Sequence, residues 1–362
     1  MYRLATVIVI LLSLVLPPLL AVMVTGHALM PYMDFPFLTH PADHGAFSYP
    51  VWWSMVVFII AVTVPFIIHA LRYPVKEMQF RDACSFPAWG WTAVIFLLPF
   101  WVLAWNRFDW FIPLQVYTFT PLWLCYIVIV NALTTRRKGS CLLTNRPFYL
   151  IGLSLLSSGF WWYYEFLNGF IRNWHYAGLE GLTIGEYVFH SSIAYATVLP
   201  AVISTIELLN TIPRMAQPFM EFGAYRLHVS RAGAVTVWIG GCAVLGLAAV
   251  YPEQLFMCVW MAPLFILVGA RRAMKQTTVF ALLEQHDWRP VILPATAALI
   301  CGFFWELWNF RSYAHWEYNI PLVDGFHVFE MPVVGYAGYL PFGMVCLAIG
   351  ELVEGTDKLF DA

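Results

Sequence analysis

Long apolar segments alternate with short polar ones along the whole 362-residue chain. An α-helix needs about 20 consecutive apolar residues to cross the hydrocarbon core of a bilayer, and segments of this length recur. We interpret ten of them as membrane-spanning helices. Their approximate spans are 4–25, 49–71, 88–105, 114–134, 147–169, 187–210, 233–251, 254–270, 290–310 and 328–353. Interior prolines such as Pro65 and Pro99 are tolerated because neighbouring helices satisfy the freed carbonyl groups.

Composition supports lipid as the principal solvent of the chain. Hydrophobic residues make up 61% of it and charged residues only 11%, and the mean hydropathy is +0.71. A soluble domain carries roughly 25% charged residues. The sequence therefore predicts an all-α, polytopic integral membrane helix bundle, which we expect in the plasma (inner) membrane.

The basic residues predict the orientation of the bundle. With ten spans, 16 of the 19 Lys and Arg residues fall on one side, and only Arg107, Arg172 and Arg311 fall on the other. Cytoplasmic loops collect Lys and Arg, so both termini are predicted to be cytoplasmic. Residues 1–25 are an alternative signal peptide. Their apolar run exceeds the usual ~7–15-residue signal core and no A-x-A site follows, which favours a retained first helix.

Two distant stretches have similar sequences: "GFWWYYEFLNGFIRNWHYAG" (159–178) and "GFFWELWNFRSYAHWEYNIP" (302–321). Superposing Glu165 on Glu306 brings Asn168 onto Asn309, and Leu-Pro and Glu-Leu pairs further on also match. These matches predict two tandem four-helix pseudo-repeats, residues 82–211 and 231–354, after a two-helix N-terminal extension, residues 1–81. Two units of four helices share one orientation, and such symmetry places sites between the halves.

The repeated Glu-Asn pair is the main candidate for chemistry. Its members, Glu165 with Asn168 and Glu306 with Asn309, are three residues apart and share a helix face. A carboxylate in the membrane costs several kcal/mol and usually faces a bundle interior or a wet cavity. We expect the glutamates to be acid/base groups oriented by the asparagines. The alternative is that Arg172 and Arg311 neutralise them as helix-end salt bridges.

Aromatic residues surround both glutamates in the sequence. Rings around a carboxyl group desolvate it, and their faces stabilise cationic character, which suits an apolar or isoprenoid-like substrate. The predicted substrate-binding residues are Trp161, Trp162, Trp305, Trp308, Tyr176, Tyr318, His190, His327 and Glu330. Packing and anchoring at the membrane interface are the alternative role of each ring, and Trp174 and Trp316 are assigned to that belt.

Other chemistry has weak support. His40, Asp43 and His44 have the spacing of one helical turn, but the sequence contains no HExxH motif and we predict no metal site. The cofactor is unknown from the sequence, and nucleic acid is not an expected partner because topology explains the basic residues. Glu207 and Glu351, near the predicted inner helix ends, are explained by the snorkelling of long side chains to the interface. The alternative is a proton path that links the outer glutamates, Glu165 and Glu306, to these inner ones.

Three functions remain open from the sequence. The first is an intramembrane enzyme whose glutamates, near the non-cytoplasmic face, act on a lipid or isoprenoid-like substrate. The second is a proton-coupled transporter that uses the same carboxylates, although the sequence indicates no broken helix pair of the kind that holds cargo. The third is a structural subunit of a membrane complex. Membrane lipids, a small-molecule or lipid substrate and membrane-complex partners are the corresponding expected partners.

Overall fold

The fold was obtained as a computed structural model that describes residues 2–78, 80, 83–223, 229–353 and 359–360. It is mostly helical. The longer helices are α1 (Tyr2–Val24), α2 (Tyr49–Arg72), α3 (Ala88–Trp105), α4 (Phe119–Lys138), α5 (Pro147–Ile171), α6 (Ile184–Tyr195), α7 (Val198–Asn210), α8 (Arg231–Val250), α9 (Ala262–Ala273), α10 (Arg289–Asn309) and α11 (Tyr339–Val353). Shorter helices are Met30–Met33, Leu142–Asn145, Pro213–Met220 and Pro252–Leu255, with 3-10 turns at Asp109–Tyr117, Phe256–Trp260, Val279–Gln285 and Val333–Gly338.

Eight helices in the described part of the chain are long and apolar enough to cross a membrane, or nine if one bent pair counts as a span. This agrees with the predicted all-α class and is compatible with a polytopic membrane protein. The count of ten is not confirmed. The 25-residue helix α5 is the predicted span that is missing from the set, and its Trp, Tyr, Glu and Asn residues lower its hydropathy.

Local sequence signals explain where several helices begin and end. Helix α6 begins at a capping box in which the Thr183 hydroxyl accepts from the Glu186 backbone N–H and the Glu186 carboxylate accepts from the Thr183 N–H. Helix α4 ends in Arg136, Arg137 and Lys138 and is closed by Gly139, whose φ of 79° lies in the left-handed region. Basic side chains there also stabilise the negative end of the helix dipole.

The core lies where α4, α7 and α10 pack together. Polar side chains join α4 to α7 inside it: Asn131 Nδ2 donates to Ser204 Oγ at 2.9 Å, and the Tyr126 and Thr205 hydroxyls are 3.0 Å apart. Helix α11 crosses α10 very closely at Gly343, where an added Cβ would lie only 1.9 Å from the Pro294 carbonyl oxygen. Small residues that let backbones approach are typical of helix packing in membranes.

Two short strands connect distant parts of the chain beyond the glutamate-bearing ends of α5 and α10. Strand β1 (Trp174–Ala177) pairs with β2 (His315–Tyr318) in an antiparallel register that places Trp174 opposite Tyr318 and Tyr176 opposite Trp316. A second small pair joins β3 (His327–Val328) to β4 (Met331–Pro332). No strand is predicted in these segments from the sequence.

The segment between α1 and α2 packs over this end of the bundle without regular structure from residue 37 to 48. Thr39 Oγ1 donates to the Trp174 carbonyl at 2.9 Å, and the Leu322 carbonyl accepts from the Ser48 N–H at 2.8 Å. His40, Asp43 and His44 belong to this non-helical segment. The one-turn helical spacing considered for them is therefore wrong.

At the opposite helix ends, Glu207 and Glu351 have similar partners. Glu207 forms an ion pair with Lys138 at 3.0 Å and accepts at 3.0 Å from the Leu142 N–H, at the start of the short helix that follows α4. Glu351 forms an ion pair with Arg271 at 2.8 Å and accepts from the Val279 N–H at 2.6 Å. Both carboxylates thus fix, through an ion pair and a backbone hydrogen bond, the position of a segment that follows a helix. This role is structural.

Candidate functional site

The carboxyl group of Glu165, on α5, lies in a shell of aromatic donors. Its Oε1 accepts from the Tyr176 hydroxyl at 2.6 Å and the Trp161 indole at 3.0 Å. It also accepts at 3.3 Å from both the Trp174 indole and the Tyr195 hydroxyl. Only 1% of Glu165 is exposed. Four ring donors thus replace the water that a carboxylate would otherwise need.

The carboxyl group of Glu306, on α10, has fewer donors. Its Oε1 accepts from the Tyr339 hydroxyl at 2.6 Å and from the Tyr318 hydroxyl at 2.8 Å. Its Oε2 is buried and has no hydrogen-bond partner in the described part of the chain. The side chain is 0% exposed. One carboxyl oxygen in this second cluster is therefore unsatisfied.

Each asparagine holds the chain segment that supplies the ring donors. Asn168 accepts from the Asn173 and Trp174 N–H groups at 2.9 and 3.3 Å and donates to the Trp174 carbonyl at 2.7 Å. Asn309 accepts from the Trp316 N–H at 2.8 Å and donates to its carbonyl at 2.7 Å. Neither amide bonds to a glutamate. The asparagines thus orient β1 and β2, and through them the rings, instead of touching the carboxyl groups.

The salt-bridge alternative has no support in this geometry. No Lys or Arg of the described chain pairs with Glu165 or Glu306, and the Arg311 guanidinium lies over the Trp105 ring instead. Burial, followed by the neighbouring glutamates, raises the pKa of the Tyr176 and Tyr318 phenols well above the ordinary value. These hydroxyls therefore stay protonated and donate.

A cavity of about 790 Å³ is bordered by both clusters. From the first come Trp161, Trp174, Tyr176 and Tyr195, and from the second Trp305, Trp316, Tyr318 and Tyr339. One stripe of α2 forms another wall, and most of the remaining lining is apolar. A pocket of this size and character suits a largely apolar ligand. The glutamates themselves lie behind the rings, not among the described lining residues.

The predicted substrate-binding residues divide into two groups. Five line the cavity: Trp161, Trp305, Tyr176, Tyr318 and His190. The other four are not among its described lining residues: Trp162, Trp308, His327 and Glu330. Trp162 donates to Ser192 Oγ at 2.9 Å, and Trp308 is a core residue, 1% exposed, that packs edge-on to Trp123. His327 lies 2.7 Å from Asp324 near the surface.

Several site residues were missed by sequence reasoning. Tyr195 and Tyr339 follow their glutamates by 30 and 33 residues, too far for helical spacing to connect them. The only signal was approximate: Tyr195 lies four residues, and Tyr339 one residue, before the Leu-Pro pair that follows each glutamate. Trp174 and Trp316 were assigned to the interfacial belt, yet both line the cavity.

A helix break borders the same cavity. The segments Pro252–Trp260 and Ala262–Ala273 are bent by 51° about Met261. Trp260 and Met261 both line the cavity, and Trp260 stacks on Tyr164 with ring centroids 4.9 Å apart. The expectation that no broken helix pair occurs is therefore wrong. The sequence "MAP" marks the position, because Pro263 cannot supply a backbone donor to the preceding turn.

Comparisons of the chain with protein-family models, with curated proteins and with solved structures give no match. In the described residues, no group of three or more His, Cys, Asp and Glu side chains is arranged to hold a metal ion. The function is therefore inferred from the cavity and the two glutamate clusters.

Proposed function

We propose that the protein is an intramembrane enzyme that moves protons on an apolar, unsaturated lipid or isoprenoid-like substrate. The observation that carries this proposal is a cavity of about 790 Å³, mostly apolar, that is bordered by two buried Glu–Tyr clusters. A long hydrocarbon chain fits such walls. Carboxyl groups and tyrosine hydroxyls are both side-chain groups that serve in general acid/base catalysis.

The chemistry needs one cluster as acid and the other as base. At the acid cluster, a tyrosine hydroxyl gives its proton to a double-bond carbon while the protonated glutamate behind it restores that proton. At the base cluster, a tyrosine hydroxyl passes its proton to the carboxylate while it accepts one from a neighbouring carbon. The substrate gains one proton and loses another, so the step is a redox-neutral isomerisation or cyclisation. Exchange with water resets the two carboxyl groups.

The internal repeat and the orientation belong to the same proposal. The β1–β2 register is reciprocal, since Trp174 faces Tyr318 while Tyr176 faces Trp316. The two Glu–Tyr and Asn–backbone arrangements are also alike. These features support two related units, residues 82–211 and 231–354. The distribution of Lys and Arg supports a plasma-membrane protein with cytoplasmic termini and with the clusters toward the other side.

Deuterium incorporation tests the proton-transfer proposal directly. Membranes that contain the protein are incubated in D2O, and their extracted lipids are compared by mass spectrometry with those from membranes that contain Glu306→Gln. We expect at least one lipid species to gain carbon-bound deuterium only with the unaltered protein. Equal labelling in both samples, or none in either, contradicts the proposal.

A proton-coupled transporter is the second candidate, and the bent pair about Met261 favours it. Broken helices at a central cavity hold cargo in many transporters. Glu207 and Glu351 weigh against a proton path across the bundle, because each is held by a basic side chain. Uptake of a lipid into proteoliposomes that depends on a pH gradient, without change in its structure, would favour transport.

A further inference from the structure

The two glutamate clusters differ in how fully they are satisfied. Glu165 Oε1 accepts from four ring donors, whereas Glu306 Oε1 accepts from two and its Oε2 has none. An unpaired carboxyl oxygen without water contact leaves its desolvation uncompensated and so destabilises the fold. Such a group in a native fold calls for an explanation, and a bound ligand is one.

The same contrast appears in the tryptophans. Trp174 and Trp316 hold corresponding places next to Glu165 and Glu306, and both line the cavity. The Trp174 N–H donates to Glu165 Oε1 at 3.3 Å. The Trp316 indole lies near enough to interact with the Glu306 carboxyl, but its buried N–H makes no hydrogen bond of acceptable geometry. An unsatisfied donor on a residue that lines the cavity and an unsatisfied acceptor on the buried glutamate behind it therefore belong to the same cluster.

We propose that Glu306 and Trp316 form a subsite for the hydroxyl group of a lipid alcohol. A hydroxyl carries one donor and two acceptor positions, so its oxygen accepts from the Trp316 N–H while its hydrogen is donated to Glu306 Oε2. Both atoms are buried behind the lining rings of Trp316, Tyr318 and Tyr339, so binding requires the hydroxyl to enter between those rings. An ether lacks the donor and a hydrocarbon lacks both functions, so neither satisfies the pair.

This subsite rests on the proposed function, because the apolar chain of the alcohol occupies the same cavity. It adds a binding role to one half only. Both glutamates keep the proton-transfer roles proposed above, with four ring donors at Glu165 Oε1. Glu306 also binds the polar end of the ligand and fixes which carbons of its hydrocarbon chain lie against the tyrosine hydroxyls. The ratio of the affinities for an alcohol and for its methyl ether measures hydroxyl binding at Glu306 separately from binding of the hydrocarbon chain.

The experiment compares two ligands with the same chain. Tritiated farnesol and farnesyl methyl ether are titrated onto the full protein in nanodiscs of dioleoylphosphatidylcholine, with empty nanodiscs as background. We expect the unaltered protein to bind the alcohol about tenfold more tightly than the ether. Trp316→Phe, which removes only the indole N–H and part of the ring, is expected to reduce that ratio to about twofold. Trp174→Phe is the matched control and keeps the ratio.

Each outcome decides between the proposals. Equal affinities of the unaltered protein for alcohol and ether overturn the hydroxyl subsite and leave the apolar cavity supported. Equal ratios in the two tryptophan variants also overturn it. Binding of neither ligand removes the cavity function and the subsite together. The comparison of alcohol with ether in the unaltered protein needs no variant, so it stands even if Trp316→Phe fails to fold.

Discussion

Trp174 and Tyr318 lie opposite each other in the β1–β2 pair, and their side chains reach different glutamates. Trp174 Nε1 is 3.3 Å from Glu165 Oε1, and the Tyr318 hydroxyl is 2.8 Å from Glu306 Oε1. Strand β1 thus carries donors of Glu165, and the paired strand β2 carries a donor of Glu306. The sheet joins the two clusters, although they belong to helices far apart in the chain.

Replacing Glu306 by Gln should abolish deuterium incorporation, with a fall of at least ~100-fold, because an amide has no transferable proton. Insertion should be unaffected, since the side chain keeps its shape and an acceptor oxygen. Lipid mass spectrometry after D2O incubation measures the first effect, and membrane fractionation measures the second. Glu180→Gln, at an exposed carboxylate outside both clusters, is the control and should retain full labelling.

Removing the Tyr339 hydroxyl should reduce proton transfer by about 10²-fold, because that group lines the cavity and donates to Glu306 at 2.6 Å. Tyr336 is a matched control three residues away, since its hydroxyl donates to the Val328 carbonyl instead. The initial rate of deuterium labelling is compared for Tyr339→Phe and Tyr336→Phe. Similar rates in the two variants would exclude the relay through Tyr339.

Asn309→Ala should lower the free energy of unfolding by about 1–3 kcal/mol, because it leaves the Trp316 N–H and carbonyl without their partner. Thermal unfolding in detergent measures the loss. Asn145→Ala, at an exposed position, should change stability by less than ~0.5 kcal/mol. If both variants melt together, the amide does not hold β2 as described.

Gly343→Ala should destabilise the fold by roughly 3 kcal/mol, because its Cβ would meet the Pro294 carbonyl oxygen at 1.9 Å and force α10 and α11 apart. The added methyl group at Gly240, also within a helix, meets nothing within 4 Å. Gly240→Ala should be neutral or slightly stabilising. The two melting temperatures in detergent test the contrast, and equal values would contradict the close crossing.

The sequence predicts the helical class and much of the first glutamate environment. Glu165 and Trp161 are four residues apart on one helix, so periodicity is enough to bring them together. Tyr339 is different, because its contact with Glu306 depends on how α11 crosses α10, and helical spacing carries no information about crossing geometry. The role of the asparagines could not be predicted from the pattern either. Each asparagine shares a helix face with its glutamate and was expected to orient that carboxyl group, but Asn168 hydrogen-bonds to the following strand.

The span count shows a second limit. Helix α5 has the length of a span, but its Trp and Tyr residues give it low hydropathy although they pack against protein. The hydropathy of a helix thus does not determine whether that helix lies inside the bundle. The sequence marks the bend about Met261 only through Pro263, and the angle of 51° could not be predicted from it.

Helix α2 has no fully buried residue, although its 24 residues are strongly apolar. Its outward side chains, such as Val57 and Ile60, are more than half exposed. Exposed apolar side chains at those positions suit contact with acyl chains and not packing against the rest of the fold. A lysine introduced there would act chiefly at the step of insertion, at a cost of about 2.5–3.5 kcal/mol near the helix centre, while the interior of the molecule remained intact.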